Sequence, residues 1–318
     1  MKQLYQIFLI AGMLCLARVA PARITENFDA GWKFLPGDLT GAEQPVFDDA
    51  NWKTVDLPHD WSIAGPFAET NKTGGAGAFL PGGIVWYRKS FSLPESASGR
   101  SVSVEFDGVM QNSDVWINRV HLGHRPNGYV GFRYKLNAPP LVFGRNTTNV
   151  LAVRTDTSAQ PASRWYSGGG IYRHVRLVVA DPIHIDADGV FITTPNVSGR
   201  EATVQFQIVV TNESAAPLGI TVNTALVSPD GKNVATVKSE LTVSNHAPGE
   251  LRQQIVFPKP QLWSPDAPHL YLAVTKIMSG KMVLDETTTT FGIREAIVNI
   301  TARAAGLKLG SLTVTLAD

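Results

Sequence analysis

The chain has 318 residues, of which 44% are hydrophobic and 17% charged, enough for about two domains with buried cores and too apolar for a disordered chain. A formal net charge of +1 gives no pull toward nucleic acid or an anionic membrane surface. Cys15 is the only cysteine and falls in an apolar leader, so the processed chain has no disulfide, thiolate metal site or cysteine nucleophile.

That leader is the first predicted element. Lys2 supplies a thin positive start, Leu4 to Leu16 is mostly apolar, and Ala20-Pro21-Ala22 sets small residues at a cleavage site after Ala22. The apolar run is short for a membrane span. An uncleaved anchor and lipidation at Cys15 are the alternatives, the second opposed by the bulk of Leu14. Residues 1–22 therefore read as a signal peptide, and the mature protein as secreted or periplasmic, with no membrane association beyond the leader.

From there the pattern is all-β. Val102, Val104 and Phe106 alternate with polar residues, and Asp114 to Asn118, Val120 to Gly123, Asn149 to Arg154 and His174 to Val179 continue the theme between turn signals, as in a β-sandwich. Asp181-Pro182 opens a second set. Val204, Phe206, Ile208 and Val210 share one face, followed by Ile220 to Val227, Leu251 to Phe257, Leu270 to Ile277 and Thr287 to Ile293. About seven strands in roughly 110 residues predict an immunoglobulin-like sandwich. The expected organisation is a sandwich over residues 23–180, a second over 181–295, and a tail over 296–318 that is poorly ordered, with Leu312 to Leu316 as one unpartnered strand.

Local motifs offer little independent chemistry. Asp48-Asp49 reads as a turn before Asn51-Trp52. His121 and His124 lie three apart on a strand-turn segment, a spacing that does not put both on one face, with no carboxylate near in sequence, so no metal site is expected. Gly168-Gly169-Gly170 lacks the Lys-Ser/Thr of a phosphate loop and reads as a tight bend. No cofactor is implied. Trp32, Trp52, Trp116 and Trp263 read as core or module-interface residues. Asn71-Lys72-Thr73 and Asn146-Thr147-Thr148 are glycosylation sequons only along a eukaryotic secretory route.

A series of longer matches runs in order along the chain. It comprises Asn27 to Phe34, Leu57-Pro58-His59-Asp60-Trp61, Gly82 to Lys89, Asp114 to Asn118 (followed by Arg119 where glycine is usual), His124 to Tyr129, Arg164 to Arg173, Leu262 to Asp266 with Leu270-Tyr271, and Phe291-Gly292-Ile293-Arg294. Together they resemble glycoside hydrolase family 2, nearest its β-galactosidases, with β-glucuronidases and β-mannosidases as the neighbouring alternatives.

The resemblance implies a jelly-roll (galactose-binding-like) sandwich, then an immunoglobulin-like sandwich, then a catalytic (β/α)8 barrel carrying an acid/base and a nucleophilic glutamate. No stretch of this chain matches the barrel, and Ile297 to Arg303 departs from the family's next strand, as an out-of-frame or truncated gene end would. No catalytic residue can therefore be named, and the chain is expected to be inactive alone. The candidate sugar contacts are Arg164 and Trp165, a guanidinium fork beside an aromatic ring, and Asp60. In the competing structural reading Trp165 packs the sandwich and Arg164 pairs with an interface carboxylate. The expected partner is a β-linked oligosaccharide or glycoside. The alternatives are a stand-alone carbohydrate-binding module and a scaffold for a separately encoded catalytic barrel.

Overall fold

The computed structural model describes residues 23–136, 141–159, 166–300 and 312–316. The leader, Arg164 and Trp165 lie outside the described residues. Among the described residues the regular structure is β, apart from three short 3₁₀ turns.

The first ten strands are β1 (Arg23–Asn27), β2 (Trp32–Pro36), β3 (Lys53–Val55), β4 (Ile84–Phe91), β5 (Ser101–Phe106), β6 (Ser113–Ile117), β7 (Val120–Arg125), β8 (Phe132–Lys135), β9 (Asn149–Asp156) and β10 (Val175–Ala180). They form a four-stranded sheet, β1-β10-β5-β8, and a six-stranded sheet, β3-β2-β4-β9-β6-β7. Trp32, Tyr87, Val104, Phe106, Ile117 and Leu151 are among the side chains buried in the core of this jelly-roll sandwich.

The next seven strands are β11 (Ile183–Val197), β12 (Glu201–Asn212), β13 (Leu218–Val227), β14 (Asn233–Val243), β15 (Pro248–Pro258), β16 (Tyr271–Ser279) and β17 (Met282–Phe291). They form the sheets β11-β12-β15 and β14-β13-β16-β17. Strict alternation on β12 sends Val204, Phe206, Ile208 and Val210 into an immunoglobulin-like core with Val222, Tyr271 and Ile277. Beyond it, β18 (Ala296–Ile300) pairs antiparallel with β19 (Leu312–Leu316). The strand read at Leu312 to Leu316 thus has a partner that alternation alone did not reveal.

The tryptophans read as structural behave so. Trp32 and Trp52 are buried, Trp116 stacks on Trp86 at 5.2 Å, and Trp263 lies beneath the Arg294 guanidinium. Asp48 accepts from the Ala50 N–H as a turn residue, while Asp49 also binds the buried Arg88 at 2.8 Å.

The expectation for His121 and His124 is corrected. Both reach Asp114, at 2.9 Å and 3.1 Å. The cause is a register shift between β6 and β7, where Val115 faces Gly123 but Trp116 faces His121. The extra residue restores the same side to positions three apart. Among the described residues no group of three or more His, Cys, Asp or Glu is arranged to hold a metal ion. The hairpin turn places Asn118 and Arg119 both at positive φ, so Arg119 takes a conformation that glycine adopts without a Cβ penalty.

The two sandwiches meet across β1, β5, β8 and β10. Val178 and Ala180 point away from the first core yet are buried, as are Ser101 and Ser103, because His184 and Arg23 lie over that face. Arg23 binds Asp285, Arg133 binds Asp186 and Lys135 binds Glu213 across the junction.

His184 is buried with its Nδ1 donating to the Asp181 carbonyl at 2.9 Å. Burial holds its pKa below the ordinary histidine value. The unfolded chain then binds a proton near pH 6.5 that the folded chain resists, so stability falls as pH drops below that value. Thermal unfolding will show a lower midpoint at pH 5 than at pH 7.5, and His184→Gln will shrink the difference. An unchanged difference in the variant would remove His184 as its source.

Candidate active-site face

The segments joining β3 to β4, β5 to β6 and β9 to β10 meet at one end of the first sandwich. The His59 N–H donates to the Ile171 carbonyl at 2.8 Å and the Trp61 N–H to Gly169 at 3.1 Å. Met110 and Gly170 exchange backbone hydrogen bonds of 2.9 Å and 2.8 Å. The three consecutive glycines serve this convergence. Gly168 and Gly170 have φ of 75° and 95°, and a Cβ on Gly169 would come within 2.7 Å of Trp61 Nε1.

Asp60 brackets the arrangement. Its Oδ1 accepts from the Gly169 and Ser62 N–H groups at 3.0 Å and 3.1 Å, and its Oδ2 accepts from the Tyr166 hydroxyl at 2.8 Å. Burial and the Asp60 carboxylate together push the Tyr166 pKa well up, fixing the phenol as a donor. The candidate contact Asp60 is therefore bonded to the described segment that begins at Tyr166, and Oδ2 retains capacity for a further donor. Asp60→Ala will strand three donors and cost about 1–3 kcal/mol, with Asp60→Asn milder. Urea unfolding of the two variants checks this, and equal loss in both would mean that the acceptor geometry is not what matters.

Behind Asp60, His59 Nδ1 lies 2.9 Å from the hydroxyl of Tyr87, which is fully buried. Burial, reinforced by the charge of Lys53, holds the His59 pKa down, so the ring is neutral near pH 7.

Two further carboxylates flank this end, and no sequence motif singled them out. Asp156 accepts from the Ser158 N–H at 2.8 Å, and its own backbone is held by Gln111 and by Asn112, the latter at φ 43°. Burial raises its pKa, but the Ser158 hydrogen bonds and the Arg154 charge outweigh this and leave it lowered. Asp107 forms a bidentate pair with Arg176, which chiefly depresses its pKa. It lines a hollow of about 550 Å³ with Pro58, Tyr172, Arg173 and His174. Ile63, Phe67, Phe79 and Tyr166 are exposed on the same loops, and Tyr129 on the segment from β7 to β8. A second and larger concavity of about 1030 Å³ opens between the sandwiches, lined by Arg23, Arg133, Asp186, Phe191 and Thr287 to Thr290.

This architecture has close counterparts. The family model described as glycosyl hydrolases family 2 matches residues 183–294, and that described as beta-galactosidase second all-beta domain matches residues 47–160. Beta-galactosidase BoGH2A of Bacteroides ovatus is 43% identical over 272 residues, covering 86% of this chain and 32% of the relative. A beta-glucuronidase of Formosa agariphila is 31% identical, covering 86% of this chain and 30% of the relative. A glycosyl hydrolase family 2 member from Bacteroides cellulosilyticus superposes with a TM-score of 0.81 at 34% identity, covering 86% of this chain and 36% of that one. A beta-glycosidase from Bacteroides vulgatus gives 0.80 at 35% identity, covering 92% and 35%. The chain thus spans about a third of the length of the relatives it matches. Both sandwiches and the order in which they follow one another are those of these enzymes, and the chain belongs to glycosyl hydrolase family 2.

Proposed function

We propose that the chain is the non-catalytic, substrate-side part of an exported β-galactosidase-like hydrolase of O-glycosyl bonds, and that it has no turnover by itself. The observation that carries this is the state of the carboxylates at the converging loops. Retaining glycoside hydrolysis needs two carboxyl groups about 5–5.5 Å apart across the scissile bond, one protonated near neutral pH. Asp60 is held by three donors, Asp107 by Arg176 and Asp156 by Ser158. Asp107 and Asp156 have lowered pKa values, the wrong direction for a general acid. The groups here hold and orient, and the proton transfer and nucleophilic attack belong to a barrel that meets this face.

Arg164, Trp165 and Asp60 are assigned to sugar contact, with the Tyr166 hydroxyl fixing the Asp60 carboxylate. A chromogenic β-galactoside incubated with the chain alone will release no product above a mock preparation. Release in proportion to the chain, abolished by Asp60→Ala, would overturn the assignment. Export is tested by N-terminal sequencing of the periplasmic or secreted product, which should begin at Arg23.

The inter-sandwich concavity favours a second reading, a scaffold on which a separately encoded barrel docks. Co-purification of a barrel chain with the tagged protein from its native cells distinguishes the two.

A further inference from the structure

The outward face of the β11-β12-β15 sheet carries a side-chain set that folding does not require. In-register pairing aligns Phe191, Gln207 and Arg252 in one row and Thr193, Gln205 and Gln254 in the next. Their even spacing along each strand puts all six on the side away from the core, where they line a concavity of about 330 Å³. The Gln205 amide donates to the Gln254 amide at 3.0 Å, so the two are held in one orientation.

Phe191 is 61% exposed at mid-strand, where most of its ring surface contributes no burial to the fold. It also forms part of the wall of the larger concavity between the sandwiches, so the two hollows adjoin at its ring.

The chemistry of the face narrows its ligand. A lone aromatic ring amid amides is not the contiguous apolar core of a protein–protein interface. Nucleic acid would need free cations, and the one cation in these rows, Arg252, is bonded to Glu250. Amides offer a donor and an acceptor side by side, matching the adjacent hydroxyls of a sugar, while an exposed ring packs on its C–H face.

We propose that this face binds a neutral, β-linked oligosaccharide, with one sugar stacked on Phe191 and its neighbour held by Gln205, Gln207 and Gln254. The proposal rests on the glycoside reading above for its class of ligand. The site would hold a polymeric substrate against the second sandwich.

The test is calorimetric titration of the chain with β-1,4-galactotetraose, using tetragalacturonate as the charged comparison. Saturable binding of the neutral sugar is expected. Phe191→Ala will weaken it at least about 10-fold and Gln254→Ala at least about 3-fold. Val234→Ala, an exposed position on β14 of the opposite sheet, will leave it within about 2-fold. Both substitutions on the face are at exposed positions, so folding is preserved, and a thermal melt of each variant checks that. Flat heats, equal affinity in Phe191→Ala, or tighter binding of tetragalacturonate would each overturn the proposal. The glycoside reading is judged separately, by hydrolysis of chromogenic glycosides when the chain is joined to a family 2 barrel. If Phe191→Ala binds normally and Asp60→Ala does not, this face is wrong and that reading stands.

Discussion

Asp285→Ala will destabilise the chain by about 3–5 kcal/mol, the cost of leaving one partner of a buried ion pair without the other. The Asp285 side chain is completely buried, and that of Arg23 is 18% exposed. Arg23 Nε and Nη2 donate to the two Asp285 oxygens at 3.0 Å and 2.7 Å. Arg23 also donates to the Ile185 carbonyl at 2.6 Å, and the Ile185 N–H donates to Asp285 at 2.8 Å. One carboxylate thus ties β1 of the first sandwich to β11 and β17 of the second, across 262 positions of sequence. Alanine leaves the Arg23 guanidinium with only the Ile185 carbonyl as acceptor and strips the Ile185 N–H of its acceptor at a largely buried junction. The double variant Arg23→Leu/Asp285→Leu removes both charges and will lose less than Asp285→Ala, because the desolvation penalty goes with the pair. Urea unfolding of the three proteins measures this. A loss below about 1 kcal/mol for Asp285→Ala, or a double variant no better than the single one, would show that the pair is not what couples the sandwiches.

Little of that junction is legible in the sequence. Period-two alternation exposes a strand when one face meets a core and the other meets water, which is why Val204, Phe206, Ile208 and Val210 were readable. The same rule marks Ser101 and Ser103 as a solvent face, whereas the second sandwich covers them. Asp285 carries no mark of its own in Met282–Phe291, because its partner lies at the other end of the described chain. The His121–Asp114–His124 cluster escaped because one extra residue in β7 reverses the side-chain parity that spacing arguments assume. Asp60 was recognisable from the Pro-His-Asp-Trp motif. Its hydrogen bonds to Tyr166 and Gly169 span more than a hundred residues and follow only from how the loops converge. Asp156 stands at the end of an ordinary strand, and nothing local distinguishes it from any other strand-terminal acid.

Gly170→Ala is the second substitution expected to have a large effect, about 3–5 kcal/mol, since it combines overpacking with an unfavourable backbone conformation. Its φ is 95°, and a Cβ there would lie 2.1 Å from the Tyr87 hydroxyl oxygen and 3.1 Å from the His59 carbonyl. Neither side can yield easily. Gly170 is pinned to Met110 by two backbone hydrogen bonds, and Tyr87 is fully buried on the central strand β4. Gly31→Ala separates the two contributions, because φ is 73° there and nothing lies within 4 Å of the added methyl. It should cost only the backbone part, about 1–2 kcal/mol. Tyr87→Phe in the Gly170→Ala background removes the nearest clashing atom and leaves the ring carbon at 3.0 Å, so it should recover part of the loss. If Gly170→Ala is no worse than Gly31→Ala in urea unfolding, close packing of the loops is not what fixes this end of the sandwich. If it is worse and Tyr87→Phe relieves it, the position of the segment from Tyr166 to Ile171, and with it that of Asp60, is set by a ring packed against a glycine.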